Sequence, residues 1–142
     1  MMNTELSTLY QSKLMEHHQN PQGFENQTSS LSWQNEEGFN PACGDEITVY
    51  CDQHQGVIRQ LRFSGHSCAI CRGSASIMCQ QLSDTEINEV IATISKVEAF
   101  VLQGDVDVDW QNDIDALRIT HKFPVRKQCA LLPWQTLKKL LR

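Results

Sequence analysis

The chain has no stretch approaching the ~20 consecutive apolar residues of a membrane span, and Met1 to Tyr10 lacks the apolar run of a secretory signal. A cytoplasmic protein without membrane association is therefore expected. No internal repeat and no low-complexity tract interrupts it. No glycine-rich phosphate loop, paired carboxylates or serine–histidine arrangement stands out. Basic charge is also short: the net charge is −5, which argues against nucleic-acid binding as the main task. Acid is missing from one end, since no Asp or Glu follows Asp115. That last stretch holds Arg118, Lys122, Arg126, Lys127, Lys138, Lys139 and Arg142, while Asp105, Asp107, Asp109, Asp113 and Asp115 crowd the segment before it. Such a dipolar surface can steer a protein partner, or it is simply two solvated faces.

What is present suffices for one domain over residues 1–142, with 40% apolar and 20% charged residues. Leu6, Leu9, Tyr10, Leu14 and His17 recur at helical spacing, and Asn20, Pro21 and Gly23 end that helix. Residues 25–40 are polar and read as loop. Ile47, Val49 and Cys51 alternate with Thr48, Tyr50 and Asp52, and after the QHQG turn Ile58, Leu61 and Phe63 mark a second strand. A third short strand fits around Gly65 to Ser67. A helix opens at Ala69. Ser83 and Glu86 form a capping-box pattern for a next helix that closes near Gly104. A last helix is expected over Leu131 to Leu141, with Pro133 in its first turn, where a missing N–H costs least. The expected fold is α+β: a small antiparallel sheet of about three strands with helices packed on one face.

Six cysteines in a cytosolic chain favour free thiols or metal ligands over disulfides. Three stand apart at the edges of elements: Cys43 in NPACGDE, Cys68 in GHSCAI and Cys129 in KQCALLPW. Gly44 permits a tight turn that points Cys43 and Asp45 the same way. Helix-terminal N–H groups beside Cys68, and Arg126 and Lys127 beside Cys129, are expected to favour thiolates. Three soft sulfurs and one carboxylate make a four-point site suited to Zn²⁺ or iron. His66, two residues from Cys68, is an alternative ligand, and His17 and His18 fall at the end of the first helix. Cys51 and Cys79 lie on apolar stripes and belong to the core. Cys68 and Cys71 form C-x-x-C at a helix start, which opens a rival reading as a thiol–disulfide oxidoreductase. The central sheet such a fold needs is not visible after residue 82.

The segments LYQSKLMEHHQNPQGF, NPACGDEI, GHSCAICRGSASIM and KFPVRKQCALLPW resemble the U-type iron–sulfur cluster assembly family, the domain also found at the N-terminus of NifU. The long segment between Cys68 and Cys129, and Trp134 after the third cysteine, are similar to its SufU-type branch. The resemblance implies a SufE/NifU-like fold. It implies Cys43, Asp45, Cys68 and Cys129 as ligands of zinc, iron or a [2Fe–2S] cluster. It also implies Cys129 as acceptor of persulfide sulfur from a SufS-like cysteine desulfurase, with Arg126 and Lys127 at the contact and iron–sulfur acceptor proteins downstream. A zinc-dependent sulfurtransferase carrying no cluster uses the same ligands. Two positions depart from the family pattern: Cys71 replaces a small residue, and Gln128 fits neither branch.

Overall fold

The computed structural model describes residues 4–25, 32–104 and 108–142. Asp105, Asp107 and the polar stretch 26–31 lie outside the described residues. The element order is α1 (Thr4–Gln19), β1 (Gln34–Asn40), β2 (Asp45–His54), β3 (Val57–His66), α2 (Ala69–Leu82), β4 (Thr85–Glu86), α3 (Ile87–Gln103), a 3₁₀ helix (Asp113–Thr120) and α4 (Pro124–Leu140). The strands form an antiparallel sheet in the order β1-β2-β3-β4.

The central hairpin turns at Gln55 and Gly56, both with positive φ (53° and 78°). This two-residue turn matches the twist of the strands it joins. The register shifts between Asp52 and Gln53. That irregularity lets Ile58 and Leu61, three residues apart, both enter the core with Phe63, because an extra residue resets which side chains face inward. Ile47, Val49 and Cys51 share that core with α2 and α4, so the helices cover one face of the sheet.

The sheet has four strands, one more than the sequence pattern suggests. Gln34–Asn40, read as loop, is an edge strand paired along β2, with Glu36 opposite Val49. Its sequence, QNEEGFN, is polar because among its residues only Gly38 and Asn40 are buried. The region Gly65 to Ser67 holds no separate strand, since β3 runs on to His66 opposite Glu46.

The capping box at Ser83 does not form. The Ser83 hydroxyl donates back to the Cys79 carbonyl (2.6 Å), closing α2. Thr85 and Glu86 pair with Ile58 and Val57, and Ile87 N–H donates to the Gly56 carbonyl (2.9 Å), so the sheet edge sets where α3 begins. Gly104 ends α3 in the left-handed region, as expected.

The last helix starts at Pro124, seven residues earlier than the position of Pro133 suggests. Pro124 occupies the first turn, and Pro133 lies inside the helix, where it has no N–H to offer the Cys129 carbonyl. The neighbouring Ala130 carbonyl also accepts from the buried Ser74 hydroxyl (2.6 Å). Trp134 Nε1–H donates to the same hydroxyl (2.8 Å). Ser74 thus ties α2 to α4 where proline weakens the helix, one residue after Cys129.

A candidate metal centre at the end of the sheet

Three elements bring the predicted ligands together. Cys43 sits in the turn between β1 and β2, where its N–H donates to the Asn40 carbonyl (3.2 Å) and Gly44 adopts φ 69°. Asp45 opens β2. Cys68 is the N-cap of α2. Cys129 lies in the second turn of α4, not ahead of a helix as its sequence neighbours suggest.

Cys129 Sγ is 3.0 Å from Cys43 Sγ. Donor atoms of Cys43, Asp45 and Cys129 all lie within 4.8 Å of one another. Cys68 Sγ is 3.8 Å from Asp45 Oδ2, and its backbone N–H donates to Asp45 Oδ1 (2.8 Å). Asp45 is buried, so its carboxylate serves the cluster and also holds the start of α2 in place. Asn40, which the sequence reading did not single out, bridges the set: its Nδ2 donates to Asp45 Oδ2 (3.2 Å) and to Cys129 Sγ (3.5 Å). The visible signal was its place opening the NPACGD turn.

The electrostatics differ from the sequence expectation. Burial pushes the Cys129 thiol far above its ordinary range, and hydrogen bonds with Cys43, Cys68 and Asp45 push the same way. Burial also raises Cys68, while the Cys71 N–H (3.4 Å from Cys68 Sγ) opposes the rise as a helix N-terminus should. The cations adjacent in sequence point elsewhere: Arg126 lies over the Phe123 ring (4.5 Å) and Lys127 donates to the Leu102 carbonyl (3.2 Å). The acids of the centre therefore crowd one another. A divalent cation that replaces their protons relieves both the burial penalty and the crowding, and three sulfurs with one oxygen suit tetrahedral zinc or iron.

The centre opens to a cavity of about 480 Å³ lined by Cys43, Cys68 and Cys129 on one side and by Ile70, Phe123, Val125 and Arg126 on the other. Phe123 and Val125 are about half exposed, at 46% and 52%.

The remaining candidates separate from the centre. His66 is exposed at the end of β3 and lies outside the cluster. His17 is buried, with Nδ1 2.7 Å from Ser76 Oγ and Nε2 2.8 Å from Asp113 Oδ2, so it joins α1, α2 and the 3₁₀ helix. Cys51 and Cys79 are core residues, as expected, and Cys71 is fully buried. The described cysteines are all free thiols.

Comparison with known families follows this geometry closely. The profile of the NifU-like N terminal domain matches residues 9–135. The chain belongs to that family. Among relatives of this NifU-like chain, the zinc-dependent sulfurtransferase SufU of Bacillus subtilis (strain 168) is 34% identical over 142 residues, covering 96% of this chain and 92% of its own. The iron–sulfur cluster assembly scaffold protein IscU of Thermotoga maritima is 32% identical over 107 residues, covering 75% of each chain. Among solved structures, a putative iron–sulfur cluster assembly scaffold protein for the SUF system from Fervidobacterium islandicum superposes with a TM-score of 0.79. It is 27% identical, with 95% of this chain and 98% of that one covered. No helix among the described residues of this NifU-like protein is long and apolar enough to cross a membrane.

Proposed function

We propose that this chain, one NifU N-terminal-like domain over residues 1–142, is a cytoplasmic sulfur acceptor of iron–sulfur cluster assembly. Cys43, Asp45, Cys68 and Cys129 hold zinc, or iron and a nascent [2Fe–2S] cluster as cargo. The observation that carries this reading is the convergence of Cys43, Asp45 and Cys129 within 4.8 Å, with Cys68 joined through Asp45. When bound, a zinc ion supplies charge that keeps the thiols deprotonated at neutral pH.

The chain's own residues do the rest. Asn40 and the Cys68 N–H orient the Asp45 carboxylate. Cys129 is the acceptor: its thiolate sulfur attacks the outer sulfur of a persulfide on a cysteine desulfurase. One S–S bond forms on Cys129 as the desulfurase S–S bond breaks, and the desulfurase cysteine leaves as thiolate. Ile70, Phe123 and Val125 line the approach and limit water. Arg126 on the cavity rim and the adjacent Lys127 are the contact for the desulfurase, whose acidic groups they would pair with. Iron–sulfur acceptor proteins receive the product.

Zinc-dependent sulfur transfer without a cluster is the second reading, favoured by the SufU relative that spans almost the whole chain. Metal and sulfide analysis of protein purified without air tests both. Zinc alone, with no iron taken up when iron, cysteine and desulfurase are supplied, selects sulfur transfer. Iron and sulfide in equal amounts select the scaffold. Protein that binds neither metal and accepts no sulfur refutes both.

A further inference from the structure

We propose that Cys68 and Cys71 form a reversible disulfide under peroxide, which withdraws Cys68 from the metal-binding set and releases the bound metal. The inference rests on the reading of Cys68 as a ligand.

The two thiols are arranged unequally. Cys68 is partly exposed and lines the cavity with Cys43 and Cys129. Cys71 is fully buried. Cys68 occupies the N-cap of α2 with extended backbone (φ −68°, ψ 168°), so its side chain folds back over the first turn. Its Sγ lies 3.4 Å from the Cys71 backbone nitrogen. Residues three apart at a helix start are neighbours, and closing the link requires their β-carbons to draw in to about 3.5–4.5 Å. The Cys71 thiol lies within electrostatic reach of Asp45, Cys68 and Cys43 and hydrogen-bonds Ser67. It is therefore buried close to the centre and does not line the cavity. Of this pair an oxidant meets Cys68 first, and Cys71 is the resolving thiol.

The steps balance with hydrogen peroxide as oxidant. Cys68 thiolate attacks one peroxide oxygen, the O–O bond breaks, and sulfenic acid and hydroxide form. Cys71 sulfur then attacks Cys68 sulfur, the S–O bond breaks, and hydroxide takes the Cys71 proton to leave as water. The two thiols lose two electrons and peroxide gains them. A dithiol reductant reverses the link by exchange. The cycle also keeps Cys68 from the irreversible sulfinic state.

Trypsin makes the link directly readable, because Cys68 and Cys71 fall in one peptide, Phe63–Arg72. Metal-loaded protein is treated with peroxide; metal release is followed with a chromophoric chelator and peptides are mapped without reduction. The expected product is Phe63–Arg72 lighter by two hydrogens, appearing in step with metal release. Nearly complete rebinding should follow treatment with dithiol and fresh metal. Cys71→Ser and Cys71→Ala should bind metal like the parent but lose that recovery, with Cys68 trapped as sulfinic acid. A Cys43–Cys129 link as the main product, or full recovery in both variants, overturns the proposal. A Cys68–Cys71 link that forms while the metal stays bound refutes the Cys68 ligand reading and the release step together. Metal release without the link refutes this inference and leaves the ligand reading intact.

Discussion

Replacing Asp45 separates the role its carboxylate has in the structure from the ligand role proposed for it. In the metal-free protein Asp45 accepts from the Cys68 N–H at 2.8 Å and from Asn40 Nδ2 at 3.2 Å, and it is almost wholly buried. Asp45→Ala leaves both donors without their acceptor in a site that water enters poorly. At roughly 1–2 kcal/mol for each stranded donor, the loss is about 2–4 kcal/mol. Unfolding entropy near 2 cal/mol/K per residue makes 1 kcal/mol worth about 3 °C in a chain of this length, so Tm should fall by about 6–12 °C. Asp45→Asn keeps an oxygen for the Cys68 N–H and removes a charge crowded by thiols. Its metal-free Tm should stay within about 3 °C of the parent, a change of about 1 kcal/mol. The metal reverses the ranking of concern. Both variants lose an anionic ligand, and zinc affinity should fall tenfold or more in each, a lower bound set by what outer-shell changes alone cost. The assay pairs melting in chelator and reductant with zinc competition against a chromophoric chelator. Metal-free Asp45→Ala melting within about 2 °C of the parent would refute the clamp on α2, and undiminished zinc affinity in Asp45→Asn would refute the ligand role.

Three further outcomes follow from the same structure. Ser74→Ala strands the buried Trp134 Nε1–H and removes the hydroxyl bond to the Ala130 carbonyl; it should cost about 1–3 kcal/mol and shift Trp fluorescence, and a denaturant midpoint unchanged from the parent would count against the tie between α2 and α4. Burial, aided by Asp52, pushes the Cys51 thiol from 9.0 to about 11. The fold holds this proton more tightly than the unfolded chain does, so its contribution is complete below about pH 9 and is lost as pH rises towards 11, by roughly 2–3 kcal/mol. Cys51→Val should flatten the decline in stability between about pH 8 and about pH 10.5 relative to the parent, and an equally steep decline in the variant would show that other groups carry it. Arg126→Glu should weaken stimulation of the desulfurase and reduce its sensitivity to salt, since steering charges act over about 8 Å at physiological ionic strength; equal binding and stimulation would place the contact elsewhere.

The candidate ligands were legible because their chemistry is local. Soft residues at the edges of elements, with Gly44 between Cys43 and Asp45, suggest a metal site whatever the tertiary structure. The hairpin was legible through alternation at Ile47, Val49 and Cys51. β1 was not, because an edge strand with polar residues on both sides leaves no period to read; only its pairing with β2 makes it a strand. The start of α4 was misplaced because Pro133 looks like a first-turn proline and is an interior one. The cations beside Cys129 misled for a related reason. Adjacent residues on a helix point in different directions, so Lys127 reaches α3 and Arg126 stacks on Phe123. Asn40 and the His17 contacts with Ser76 and Asp113 depend on partners far away in sequence, which no local pattern encodes.

The centre joins residues that are 86 positions apart for Cys43 and Cys129 and 23 apart for Asp45 and Cys68. Bringing these groups together from such distances opposes folding unless a cation is present, because Asp45 and Cys129 are buried and burial raises the proton affinity of Cys68 and Cys129. Metal that binds the folded site and not the open chain stabilises the fold by RT ln(1 + [M]/Kd), about 4 kcal/mol at a thousandfold excess over Kd. The same coupling acts in reverse when cargo leaves. Asp45 then retains its bonds to Asn40 and to the Cys68 N–H, so the turn, the strand and the helix start stay joined while the sulfurs are empty. A carboxylate does this where a fourth thiolate could not: one oxygen can hold a backbone N–H as the other is released by metal, and that keeps an emptied site folded for the next load.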